Sequence, residues 1–309
     1  MELNDRISLD ALQPVEITAK AEQLGIRKTS LALANMFVLA LLAGLFISFG
    51  GISATTAIAG AGATLPFGVT RVLAGAAFMF CLVMVVVTGA ELFTGNTLMV
   101  VAWANRKITV RPILRNWTVV YIGNFAGSVA TAAVVYFSGQ YAFGKGAIGA
   151  TALAVASLKV EFGFGQAVAL GILANILVCM AVWLSYSARS TTDRILSIIL
   201  PISAFVSAGF EHSVANMYLI PVGLFIKAGA PESFWASIGK TAADYPNLTW
   251  GSFLINNLLP VTIGNIIGGS FIVGLAYWFA HLRPVQTSAV AAPGFSGETA
   301  RIEQSKSVA

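Results

Sequence analysis

The sequence predicts an all-α membrane protein of six transmembrane helices in an inverted 3+3 repeat, with the second and fifth helices broken. Three observations predict it. Six stretches are apolar over the roughly 20 residues that a bilayer crossing needs. Two of them are interrupted at matching points: Gly89-Ala90-Glu91-Leu92-Phe93-Thr94-Gly95-Asn96 and, 120 positions later, Gly209-Phe210-Glu211-His212-Ser213-Val214-Ala215-Asn216. Each half then holds three spans, an odd number, so the second half must enter the membrane from the opposite face.

The spans are expected near Leu31–Ile52, Leu73–Ala104, Trp117–Phe137, Ala167–Ser187, Ile195–Phe225 and Leu254–Ala280. Composition supports lipid as the solvent: 57% of the 309 residues are hydrophobic and 10% charged, against about 25% charged in soluble domains. The chain divides into an N-terminal amphipathic segment (1–30), a six-helix transmembrane domain (31–283) and an Ala- and Ser-rich tail (284–309) expected to be disordered. Arg71, Lys145, Lys159, Lys227 and Lys240 fall on one side of the spans and the other 13 of the 18 Lys and Arg on the opposite side. The positive-inside rule then places both termini in the cytoplasm. The formal charge of +5 follows from that topology and gives no argument for nucleic-acid binding. The first apolar run begins only at Leu31, so it reads as an anchor and not as a cleaved signal. Cys81 and Cys179 both lie in spans and read as small buried hydrophobes.

The repeat extends past the interruptions. Leu33-Ala34-Asn35 recurs as Leu173-Ala174-Asn175, and Gly123-Asn124-Phe125-Ala126-Gly127 recurs as Gly264-Asn265-Ile266-Ile267-Gly268. Each Gly-x-x-x-Gly pair puts two bare positions on one helix face, so these faces are expected to be helix–helix seams. Asn35, Asn124 and Asn265 are expected to hydrogen-bond neighbouring helices.

An unwound backbone in hydrocarbon leaves N–H and C=O groups unpaired at several kcal/mol each. The two breaks should therefore face one another across a central passage, with half-helices restarting near Asn96 and Asn216 and aiming their positive dipole ends at mid-depth. Glu91 and Glu211 have two readings, as proton carriers or as loop braces bonded to free backbone N–H groups. Bracing is favoured, together with Asn216, because both halves keep the Glu and only one has a His. His212 stands where the other half has Leu92, and a histidine in a membrane break is a functional candidate. His281, at the end of the sixth span, reads as interfacial. Phe78, Leu82, Leu92, Phe93 and Phe205 flank the breaks and either form dry constrictions or simply pack.

The chain resembles the formate/nitrite transporter family, most like its bacterial formate channels. The runs Gly89–Thr94, Gly209–Met217, Leu173-Ala174-Asn175 with Ala181-Val182-Trp183, and Pro260–Gly269 carry the resemblance. It implies an aquaporin-like six-helix protomer, a homopentamer with one pore per protomer, and a bacterial inner-membrane location. His212 would be a central pore histidine, Thr94 its hydroxyl partner, Asn175 a pore-lining amide and Lys159 an extracellular vestibule lysine. Phe78, Leu82, Leu92, Phe93, Val178 and Phe205 would form constrictions, and the segment Pro14–Lys28 would serve pH-dependent gating. The cargo implied is formate, with nitrite, acetate, lactate or hydrosulfide as alternatives in the same architecture, and with a proton-coupled carrier as the alternative mechanism. A water or glycerol channel would carry Asn-Pro-Ala, which does not occur. Spans without Asp, and a chain without Gly-x-Ser-x-Gly or His-Glu-x-x-His, give no support to an intramembrane enzyme. No cofactor or metal is expected, and the surrounding partner is membrane lipid.

Overall fold

In a computed structural model, residues 10–283 are described and every regular element among them is helical. The expectation for the tail 284–309 falls outside them, as does the start of the N-terminal segment. A surface helix α1 (Pro14–Thr29) precedes the first span α2 (Leu33–Ala57). The second span comprises α3 (Phe67–Thr88) and, after a break, α4 (93–104); the third is α5 (Val110–Phe137). A shorter helix α6 (Ala147–Val160) leads into the fourth span α7 (Phe164–Ser187). The fifth comprises α8 (Thr191–Ala208) and α9 (Ser213–Gly229), after which α10 (Glu232–Ile238) folds back at 114°. The sixth is α11 (Ser252–His281). Among the described residues, six helices are long and apolar enough to cross a membrane.

Most spans run several residues past their sequence-expected ends, because capping and turn geometry end a helix where hydropathy does not. α8 begins at a capping box: the Asp193 N–H donates to Ser190 Oγ at 3.1 Å and the Ser190 N–H to Asp193 Oδ2 at 3.0 Å. The long α11 contains two π-helical stretches, Ser252–Leu258 and Ile267–Leu275.

The Gly-x-x-x-Gly faces are close-packed seams. A Cβ at Gly127 would overlap the Leu41 carbonyl oxygen, and one at Gly268 the Ile172 carbonyl oxygen. Gly123 meets α2 at the Phe37 carbonyl and Gly264 meets α7 at the Val168 carbonyl. These pairings fix the true register of the first and fourth spans: Leu41 matches Ile172, an offset of 131 (172 less 41). The offset of 140 suggested by the two Leu-Ala-Asn triplets is a coincidence of sequence. Asn35 is accordingly exposed near the start of α2, not buried against a neighbour, and the counterpart of Asn175 is Gly44. At the same offset α1 matches α6. Each is a helix that ends just before a span and delivers a lysine, Lys28 or Lys159, to the glutamate of a broken segment.

α1 lies along the ends of the spans. Thr18 Oγ1 is 2.7 Å from His281 Nδ1, Lys20 Nζ donates to the Tyr186 carbonyl at 2.8 Å, and the Leu12 N–H donates to the Ser187 carbonyl at 3.2 Å. His281 thus anchors this helix. Burial, and then Arg194 and Arg189 nearby, hold the Lys20 ammonium below its ordinary pKa.

Candidate functional site: two facing breaks around one histidine

Both breaks have the same construction. α3 ends at Gly89 (φ 77°) and α8 at Gly209 (φ 80°), in the left-handed region where glycine costs least. The Ala90 N–H returns to the Val85 carbonyl at 3.0 Å and the Phe210 N–H to the Phe205 carbonyl at 3.1 Å, closing each helix end. The chain then extends for three residues and restarts at Phe93 and Ser213. The restart comes three residues before Asn96 and Asn216, where the sequence placed it. The cause is a pair of asparagines from the third and sixth spans.

Asn124 Oδ1 accepts from the Phe93 N–H at 2.9 Å, and Asn265 Oδ1 accepts from the Ser213 N–H at 2.9 Å. The amide of Asn124 donates to the carbonyls of Ala40 (2.8 Å) and Glu91 (2.9 Å). That of Asn265 donates to the carbonyls of Gly171 (2.8 Å) and Glu211 (3.0 Å). Each asparagine therefore caps the new helix and satisfies the strand-like residues that break the old one. A buried backbone group left without such a partner would cost about 1–3 kcal/mol.

The glutamates brace the breaks, though through side chains and not through free backbone N–H groups. Glu91 Oε1 pairs with Lys28 Nζ at 2.5 Å, and its Oε2 accepts from Asn96 Nδ2 at 2.6 Å; Asn96 Nδ2 also reaches Asn116 Oδ1 at 2.8 Å. Glu211 Oε1 pairs with Lys159 Nζ at 2.6 Å, and its Oε2 accepts from Asn216 Nδ2 (2.7 Å) and Asn257 Nδ2 (3.1 Å). Lys28, Asn116 and Asn257 were not singled out as site residues from sequence. Asn116 and Asn257 could have been, since their spacing equals that of Asn124 and Asn265.

Between the breaks, His212 Nε2 lies 2.8 Å from Thr94 Oγ1, with both residues buried. The Ala215 N–H donates to His212 Nδ1 at 3.1 Å. Nδ1 is thereby an acceptor, so the neutral ring carries its proton on Nε2 and donates it to Thr94. The Thr94 hydroxyl proton is left for another acceptor.

Two cavities approach this pair. One, of about 440 Å³, is lined by Lys28, Glu91, Leu82 and Leu92. The other, of about 260 Å³, is lined by Lys159, Glu211, Phe78, Phe205 and His212 itself. Phe205 packs 5.8 Å from the imidazole and edge-on to Phe78 at 5.6 Å. Phe93, Val178 and Asn175 line neither cavity. Phe93 instead packs edge-on to Tyr121 and Trp117, at 4.9 and 6.0 Å. The Asn175 amide is held behind Thr94, reaching the Asn265 carbonyl (2.6 Å), Thr97 Oγ1 (3.2 Å) and the Thr94 carbonyl (3.3 Å). Asn175 thus ties the first break to the sixth span, and of its own side-chain atoms the buried Oδ1 is without a partner.

Six spans with two half-crossing breaks, facing each other between two cavities, define a membrane transport protein. The formate/nitrite transporter family model matches residues 15–279. The chain is 43% identical over 274 residues to the formate channel FocA of Escherichia coli (strain K12), covering 89% of this chain and 96% of that one. The FocA of Haemophilus influenzae is 42% identical, covering 88% and 95%. A solved pentameric formate channel with formate bound superposes with a TM-score of 0.77 at 45% identity, covering 81% of this chain and 98% of that one. This protein belongs to the formate/nitrite transporter family.

Proposed function

We propose that the protein moves formate across a bacterial inner membrane, with both termini in the cytoplasm, as a homopentamer with one path in each protomer. The formate-channel relatives and the pentameric neighbour support cargo and assembly. The observation that carries the reading is the Thr94–His212 contact, a donor pair buried between two cavities, one lined in part by Leu82 and Leu92 and the other by Phe78 and Phe205, which we assign as the apolar necks of the path.

A bare anion faces a steep desolvation cost at such an apolar neck, whereas a neutral acid does not. Formate meeting the ring accepts from Thr94 and from His212 Nε2–H. As the anion draws in a proton from vestibule water, the ring holds it as imidazolium, with the Ala215 N–H releasing Nδ1. The Nε2 proton passes to a formate oxygen, leaving formic acid and a neutral ring protonated on Nδ1; loss of that proton to water and uptake of one at Nε2 restore the resting tautomer. One proton accompanies each formate.

Flux of formate into proteoliposomes at two pH values tests this. The native protein should carry formate faster at the lower pH, and His212→Phe should lose both the rate and its pH dependence. An unchanged pH profile in that variant would remove the mechanism. Competition by nitrite, hydrosulfide, acetate and lactate ranks the cargo, and collapse of uptake with the proton gradient would identify a coupled carrier.

A further inference from the structure

Three charged groups line the cavity on the His212 side: Lys159, Glu211 and Arg71. Lys159 and Glu211 form an ion pair, and the glutamate's other oxygen is held by Asn216 and Asn257, so their charges cancel within the scaffold. Arg71 belongs to none of the ion pairs found among the described residues. It is partly exposed, and its guanidinium sits at the broken end of α8, where Nη2 donates to the Val206 carbonyl and Nε to the Ser207 carbonyl at 3.1 Å. Those carbonyls close a helix C-terminus, the partially negative end that would repel an arriving anion. Arg71 covers them and leaves its other N–H donors, in the planar fork that matches a carboxylate, for the cavity.

We infer that Arg71, and not Lys159, is the anion-admitting residue of this vestibule, supplying the positive charge that remains once Lys159 is matched to Glu211 and masking the carbonyl end of α8. The inference rests on the anion-transport reading above and assigns the recruiting charge within it. Lys159 then acts as the counter-ion that keeps Glu211 braced. The opposite cavity differs: its own Lys28–Glu91 pair is likewise neutral, and the arginine lining it, Arg27, is solvent-exposed on α1 with no contact pinning it to the break.

Arg71→Cys in proteoliposomes tests the charge directly, because the cysteine can be given a cationic, neutral or anionic group by methanethiosulfonate reagents. Cys81 and Cys179 are both fully buried, and the unmutated protein treated alike is the control. Formate uptake is measured from the Arg71 side at about 0.02 M and about 0.5 M salt, where the Debye length falls from roughly 20 Å to a few ångströms. The cysteine variant should take up formate roughly 5- to 10-fold more slowly at low salt, with the deficit shrinking to about twofold at high salt. The cationic adduct should restore uptake and the anionic one depress it further. Arg71→Lys, which keeps the charge and loses the fork, should stay within about twofold of the native rate.

Equal uptake by all three adducts would overturn the inference, as would Arg71→Lys falling as far as the cysteine variant, which would leave only a capping role. If the unmutated protein carried no formate at all, the transport reading itself would fail instead.

Discussion

The two breaks share a scaffold and differ at the few positions that face each other across it. Lys28, Glu91, Asn96, Asn116 and Asn124 in the first half make the contacts that Lys159, Glu211, Asn216, Asn257 and Asn265 make in the second, except that the Asn257 amide also donates to Glu211 where that of Asn116 turns to Met36 Sδ. Against that common frame, Leu92 is replaced by His212, Val214 stands where the first half has Thr94, and Asn175 stands where it has Gly44. The symmetric residues answer the problem that both breaks pose, unpaired backbone in lipid. The asymmetric ones set one imidazole against one hydroxyl, with one amide held on the backbone carbonyl of the same threonine. On the proposed reading, function in this fold is carried by departures from the repeat.

The largest effect that would break the comparison is at the bridging asparagines. Asn124→Leu and Asn265→Leu each strand two buried backbone groups of a break, the carbonyl in the neighbouring span keeping its own helical donor, so each should cost roughly 2–6 kcal/mol and abolish assembly in detergent chromatography. Equal losses in the two halves are expected; a mild effect in either would show that break to be held by something else.

Glu91→Gln and Glu211→Gln come next. Each leaves a partly buried lysine without its counter-ion, and each should lower stability by roughly 3–5 kcal/mol. Thermal unfolding midpoints followed at several pH values would read it, and restoration by the matching Lys28→Met or Lys159→Met would confirm the pairing.

His212→Leu makes the second break resemble the first. The scaffold contacts remain, apart from the bond from the Ala215 N–H, so stability should change by about 1–2 kcal/mol while formate flux falls at least roughly tenfold, equivalent to about 1.4 kcal/mol of barrier. Loss of stability without loss of flux would reverse the assignment of roles. The smallest effect is expected at Lys20→Met on α1. It removes one hydrogen bond but also a cation that burial and two arginines already disfavour, so the midpoint should shift by less than about 1 kcal/mol in equivalent stability.

Much of the fold was legible in the chain, and the reasons differ by element. Hydropathy gave the six spans, and Gly89 and Gly209 marked the breaks because their left-handed backbone is a local requirement. The glycine seams were legible because close approach needs bare positions at fixed spacing. The register of the first and fourth spans was not, since two identical triplets outweighed a pairing visible only in the packed helices. Lys28 was passed over for the same reason: it lies outside the spans, and nothing local shows that it reaches Glu91. Asn175 was read as a pore amide, and its amide is instead committed to the backbone and hydroxyl groups behind Thr94.

The amino-acid order alone determined how many times this chain crosses the membrane, where two crossings fail, and which break holds the imidazole. Those are properties of short segments, set by transfer from water to lipid and by backbone sterics. The tertiary structure decided which asparagine caps which restart, which lysine neutralises which glutamate, and that Arg71 stands outside those ion pairs at the broken end of α8. Such pairings join residues tens to more than a hundred positions apart, and their energies exist only once the helices have brought the partners within hydrogen-bonding distance.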